Sequence, residues 1–129
     1  MWYSYAVVRV VPRVERGEFL NVGVVLFARE AGYLAARIAL DAARLRALAP
    51  EADVALVERH LRAFAAICAG EAAGGPVAAL PPAERFHWLT APRSTVIQTS
   101  PVHEGTTTNP AATLDELLAA FVPPPAAES

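Results

Sequence analysis

Three stretches near the amino terminus carry the β-branched and aromatic residues that are typical of β-strands. They cover residues 3–11, 18–29 and 33–40, and short polar turns ending at Gly17 and Gly32 separate them. Both faces of the second stretch are largely apolar, which indicates a central strand that is covered on both sides. The pattern therefore predicts an antiparallel meander of three strands.

The middle of the chain has apolar residues at every third or fourth position, which is the spacing of amphipathic helices. A short helix over residues 42–48 follows Asp41, a residue type that accepts hydrogen bonds from the free amide groups of a first helical turn. A longer helix is predicted to begin at Pro50 and to end at Gly70. We expect its apolar side to pack on one face of the sheet.

After the long helix, prolines mark the limits of two further elements. A short helix over residues 81–89 begins at a proline pair. Pro92 and Pro101 bracket the sequence RSTVIQTS, and its β-branched residues predict a fourth strand of about six residues. This strand would add to the meander.

A last helix is predicted to run to about Phe121, starting either at Asn109 or at Thr113. The resulting order is β-β-β-α-α-β-α. It predicts one α+β domain over residues 1–122, in which helices pack on an antiparallel sheet of about four strands. We expect residues 123–129 to form a disordered tail.

Composition narrows the class of protein. The 129 residues are 54% hydrophobic and 19% charged, which is typical of a globular domain. The net charge of −2 supplies no basic field and argues against nucleic acid as a partner. The apolar runs 6–11 and 22–28 are too short to cross a bilayer, so we expect no membrane association.

The single cysteine, Cys68, excludes an internal disulfide and favours a reducing bacterial cytoplasm as the location. The spacings of cysteine and histidine that hold structural zinc are missing from the sequence. We therefore expect neither a metal site nor a cofactor. The sequence leaves open whether the chain forms a homo-oligomer.

Polar chemistry is concentrated in one segment, residues 85–105, with the sequence RFHWLTAPRSTVIQTSPVHEG. Side chains of this kind are costly to desolvate, so their concentration suggests a site. One interpretation is catalytic: Ser94 would be a nucleophile, His87 or His103 its base, and Arg93 would bind an anion. However, no G-x-S-x-G motif surrounds the serine and the segment contains no aspartate to orient a histidine.

Two other interpretations of this segment need no catalysis. Arg93 could hold a phosphate or a carboxylate of a ligand or partner, because a guanidinium binds such groups through two parallel hydrogen bonds. In a purely structural alternative, Arg93 and Ser94 hydrogen-bond the ends of neighbouring elements. Recognition is the interpretation that we favour.

The second predicted strand contributes a candidate of its own. Strict alternation places Phe19, Asn21 and Gly23 on one face of it. A polar amide in apolar surroundings needs hydrogen-bond partners, and a glycine leaves room for a close neighbour. We hypothesise that these three residues form a floor beneath residues 88–98.

Three strings, YSYAVVRVVP, RGEFLNVGVVLF and ERFHWLTAPRSTVIQTSPVH, resemble a small bacterial family known as domain of unknown function 3037. The resemblance covers residues 3–121, and its most specific parts are residues 17–27 and 88–98. It implies no assigned activity, substrate or cofactor. The resemblance also implies that such proteins are encoded beside kinases similar to the persistence-toxin kinase HipA, and this gene neighbourhood suggests a protein partner.

We therefore expect a non-enzymatic binding or regulatory module, with a HipA-like kinase as a candidate partner. The alternative is a small enzyme, either a hydrolase or a phosphotransfer accessory, that uses His87 or His103 with Arg93 and Ser94. The residues that we expect to bind a ligand or partner are Asn21, His87, Trp88, Arg93, Ser94, Gln98 and His103.

Overall fold

The computed structural model describes residues 1–122 and 124. The predicted meander is confirmed: strands β1 (Trp2–Val10), β2 (Leu20–Ala28) and β3 (Tyr33–Ile38) pair antiparallel in chain order. β1 has the predicted length but begins one residue earlier, β2 and β3 are shorter than the apolar pattern predicts, and β2 lies between β1 and β3 as expected. Apart from residue 124, the predicted tail lies outside the described residues.

The described residues form four α-helices: α1 (Ala42–Leu48), α2 (Val54–Ala69), α3 (Pro82–Thr90) and α4 (Pro110–Phe121). The helix α2 begins later than predicted, because the Asp53 side chain accepts a hydrogen bond from the amide of Leu56 and so caps the helix there. Asn109 caps α4, which decides between the alternative starts in favour of the earlier one. No helix among the described residues is long and apolar enough to cross a membrane.

The predicted fourth strand is shorter than expected, and it is followed by a strand that the sequence pattern does not predict. Strands β4 (Ile97–Thr99) and β5 (His103–Thr106) lie end to end along the outer edge of β1 and pair antiparallel with it. Ser100 joins them: its Oγ accepts a hydrogen bond from the amide of Val7 at 2.8 Å, and its own amide donates to the Val7 carbonyl at 2.9 Å. The buried serine thus continues the ladder next to Pro101, which has no amide hydrogen to donate.

The two faces of the sheet are covered differently. On the first face, α1, α2 and α3 pack over the sheet around a large core that includes Val8, Val25 and Phe86. On the second face, α4 packs over β2 and β3, with Leu114 against Leu26. The α+β class is therefore confirmed, with helices on both sides of an antiparallel sheet of five strands.

A β-bulge in β2 decides which residues reach the second face. Val8 lies opposite Gly23, but Arg9 lies opposite Asn21, so Val22 is an extra residue on β2. The extra residue reverses the alternation: Val22 turns into the core of the first face and Asn21 turns to the second. The hypothesis of a common floor made by Phe19, Asn21 and Gly23 is therefore wrong.

Candidate functional site

The predicted contact residues do not form one site, because the structure distributes them over two regions. One region is the carboxyl end of α3 and the loop after it. The other is the second face of the sheet, outside the area that α4 covers. The first region holds His87, Trp88, Arg93 and Ser94, and the second holds Asn21, Gln98 and His103.

At the end of α3, the Arg93 side chain binds to the helix that precedes it. Its guanidinium carbon lies 4.3 Å from the centre of the Trp88 ring. Its Nη2 donates to the Trp88 carbonyl and its Nε donates to the Ala91 carbonyl at 3.3 Å. These carbonyls lie at the end of the helix, where no further turn supplies donors. For Arg93, the geometry agrees with the structural alternative.

The serine and the histidines of the catalytic alternative do not meet. His87 is exposed on α3 and Ser94 is exposed in the following loop. His103 lies on β5 beside Tyr5, with 5.5 Å between the ring centres. Among the described residues, no carboxylate forms an ion pair with either histidine. The described structure does not assemble the Ser–His pair that this alternative requires.

On the second face, three polar side chains form a continuous line across neighbouring strands. Arg9 on β1 lies directly opposite Asn21 on β2 and directly opposite Gln98 on β4. We call these three residues the polar row. The two amides are among the contact residues predicted from the sequence, whereas the arginine between them is not. The signal was present, since Arg9 is the one charged residue within the apolar string YAVVRVV.

The amides of the polar row are held in place, whereas the arginine has unused hydrogen-bonding capacity. Asn21 Nδ2 donates to the carbonyl of Phe121 at the end of α4, and Gln98 Nε2 donates to the Thr95 carbonyl at 3.0 Å. No described residue forms an ion pair or a hydrogen bond with the Arg9 side chain. Its buried Nε and the buried Oδ1 of Asn21 both lack protein partners. Such groups cost free energy unless something binds them.

Exposed and half-buried aromatic rings border the polar row. The Arg9 guanidinium carbon lies 4.0 Å above the centre of the Phe19 ring, and this phenylalanine is 46% exposed. On the other side, Tyr5 contacts His103, and its ring centre lies 6.0 Å from that of Phe121. The polar row and these rings together form a surface of cationic, amide and aromatic groups.

A separate groove lies on the first face of the sheet, and the exposed His87 lines it. It has a volume of about 680 Å³ and lies between α3 and the ends of β1 and β5. Phe27 and Phe86 stack beneath it with 5.6 Å between ring centres, and Trp2, which is 66% exposed, forms one wall. His87 lines its polar rim together with Glu104. The segment 85–105 therefore contributes to two surfaces.

Cys68 is a core residue. Burial raises the pKa of its thiol to about 12, and the nearby Arg85 opposes this increase only in part. At neutral pH the side chain is therefore a protonated thiol, which is a poor nucleophile. No group of three or more metal-ligating side chains occurs in the part of the chain that the structure describes.

The family model described as "Protein of unknown function (DUF3037)" matches residues 5–122. The match extends over nearly the whole chain, so the protein belongs to this family and the resemblance noted from the sequence is confirmed. No curated protein and no solved structure matches the chain. The matched region includes the whole polar row.

Proposed function

We propose that this member of the DUF3037 family is a non-enzymatic binding or regulatory module that contacts a protein partner through the second face of its sheet. The observation that supports this proposal is the polar row, in which Arg9 forms no hydrogen bond or ion pair with a described residue. Two fixed amides, Asn21 and Gln98, flank it.

The chemistry of this surface suits a protein partner. Arginine and aromatic residues are enriched where protein interfaces derive their binding energy. The contact with the Phe19 ring restricts the Arg9 guanidinium, which lowers the conformational entropy lost on binding. A carboxylate of the partner would accept two parallel hydrogen bonds from Arg9, and Gln98 would supply a further polar contact.

We infer the identity of a candidate partner from the family resemblance alone. It implies a HipA-like kinase, which would place the complex in the bacterial cytoplasm. The lone buried cysteine is compatible with that reducing compartment. In this proposal the module would act by occupying a surface of the kinase and not by chemistry of its own.

The test is affinity purification from the native host with a matched pair of variants, Arg9→Met and Arg93→Met. Both substitutions remove a guanidinium that lies over an aromatic ring, and both keep a long apolar side chain. We expect the wild type and Arg93→Met to retain the same stoichiometric partner, identified by mass spectrometry, and Arg9→Met to lose it. Equal retention by both variants would contradict the proposal.

A binding measurement with the purified partner completes the test. A loss of at least about tenfold in affinity is expected for Arg9→Met, because removing one of two paired charges in an interface costs about 2 kcal/mol or more. Asn21→Ala should weaken binding less, because the Asn21 Nδ2 already donates to the Phe121 carbonyl at the end of α4. A kinase activity assay with and without the module would then establish whether binding regulates the kinase.

A further inference from the structure

The strand β3 forms one edge of the sheet. It pairs with β2 on one side, and no described strand pairs with its other side. An edge strand presents a row of free amide and carbonyl groups, which an extended peptide can pair with.

The hydrogen-bond pattern identifies the outward-facing groups. The Ala39 amide donates to the Val22 carbonyl at 2.7 Å, and the register then alternates along the ladder. In an antiparallel pair, every second residue directs both its amide and its carbonyl to the partner strand. Ala35 and Arg37 therefore face β2. The residues that face outward are Leu34, Ala36 and Ile38, and the Ala36 carbonyl accepts a long hydrogen bond of 3.4 Å from the exposed Arg37 side chain, which an added strand would displace.

A groove of about 790 Å³ runs along this edge, between β3 and α2. Its lining includes four consecutive residues of β3, Leu34–Arg37, so it reaches the backbone of the strand. The wall formed by α2 is rich in alanine, including Ala63 and Ala66, and leaves space for the side chains of an added strand. We call this feature the β3 groove.

The charge of the β3 groove selects the occupant. Three arginines line it, and Glu71 is the one acidic residue among the lining residues. Arg37 pairs with Asp115, but neither Arg59 nor Arg62 forms an ion pair with a described residue. Two uncompensated positive charges therefore lie beside the unpaired edge.

We propose that the β3 groove binds an acidic, extended segment of a partner protein, which adds to the sheet as a strand beside β3. Its backbone pairs with the outward groups of β3, and its acidic side chains reach Arg59 and Arg62. A second copy of this chain fits less well, because antiparallel pairing of two β3 strands would bring the arginines of both copies together. The β3 groove shares no residue with the polar row, so the two proposals stand or fall separately.

The probe is a blocked six-residue peptide of alternating valine and glutamate, with a valine–lysine peptide as the control. We expect saturable binding of the acidic peptide that weakens with salt, and no binding of the basic one. Hydrogen exchange monitored by NMR should slow at the amides of Leu34, Ala36 and Ile38. The amides of Ala35 and Arg37 should change little, because β2 already protects them.

Variants separate charge from backbone pairing. The double variant Arg59→Glu/Arg62→Glu should weaken binding of the acidic peptide by about tenfold or more, whereas Arg46→Glu, an exposed change on α1, should leave it intact. Ala36→Pro removes one outward amide and should also reduce binding, while Ala36→Val keeps that amide.

Three results would overturn this proposal. The first is equal binding of the acidic and basic peptides. The second is binding of the acidic peptide without any protection of the outward amides of β3. The third is self-association of the peptide-free protein that protects the same amides, since a second copy would then occupy the edge.

Discussion

Arg9 and Arg93 each lie over an aromatic ring, yet their surroundings differ. Arg93 lies over Trp88 and donates hydrogen bonds to carbonyls at the end of α3. Arg9 lies over Phe19 and has no hydrogen bond or ion pair with any described residue. The first side chain completes a local structure, while the second retains its capacity to bind something else.

Polar residue type alone does not separate a structural residue from a binding residue. The sequence segment around Arg93 has the higher density of histidine, serine and arginine, and it suggested a catalytic site. The apolar string around Arg9 suggested no functional site. Hydrogen-bond satisfaction, which depends on the folded neighbours, is the property that separates the two arginines.

The largest expected effect tests the strand geometry that brings Asn21 beside Arg9. A Cβ atom at Gly23, next to the bulge, would lie 2.5 Å from the carbonyl oxygen of Arg37, so β2 and β3 must move apart in Gly23→Ala. We expect the free energy of unfolding in urea to fall by about 3 kcal/mol. The control is Gly32→Ala, where no atom lies within 4 Å and the positive φ of 58° should cost about 1 kcal/mol. Equal losses would show that the strands tolerate separation.

The next effect tests the junction of β4 and β5, which positions Gln98 and His103 along β1. Ser100→Ala leaves the buried amide of Val7 without its side-chain acceptor. We expect a loss of about 2 kcal/mol in the free energy of unfolding. Ser94→Ala, an exposed position, should change it by less than about 0.5 kcal/mol. A comparable loss of stability in both variants would show that the Ser100–Val7 hydrogen bond makes no specific contribution to stability.

A smaller effect is expected for Arg93→Met, which tests the structural half of the comparison. The variant loses the hydrogen bonds to the end of α3, so the free energy of unfolding should fall by about 1 kcal/mol. Circular dichroism during urea unfolding measures this change. Loss of partner binding with unchanged stability would instead return Arg93 to the list of contact residues.

The smallest effect on stability is expected for Arg9→Met. Methionine keeps most of the apolar contact with Phe19 and removes the buried Nε that has no partner. The free energy of unfolding should stay within about 0.5 kcal/mol of the wild type or rise slightly. A decrease of more than about 2 kcal/mol would make Arg9 a structural residue, and the two arginines would then no longer differ in kind.

Most of the fold could be predicted from local patterns. The three apolar stretches became the meander, Asp41 caps α1, and Gly70 ends α2 in the left-handed conformation with a φ of 71°. These features depend on residues close together in the chain, and their physical causes act locally. The family resemblance, which also depends on the sequence alone, was confirmed over residues 5–122.

Apart from the start of α2, which the local Asp53 cap sets, the main errors arose where distant parts of the chain meet. The bulge at Val22 depends on the pairing of β2 with β1, and it moved Asn21 to the other face of the sheet. The strand β5 depends on the Ser100 side chain bonding Val7, which is 93 positions away. The hydrophobic pattern of a single strand carries no information about the bulge or about the Ser100–Val7 hydrogen bond.

The family, the α+β class, the Asp41 cap of α1 and two of the three residues of the polar row could be identified from the sequence alone. The tertiary structure was needed to show that Asn21 and Gln98 lie on either side of Arg9. It was also needed to show that the Arg93 guanidinium donates its hydrogen bonds to carbonyls at the end of α3. The physical reason is that helix and strand propensity depend on near neighbours. Which polar groups remain unpaired depends on atoms that only folding brings together.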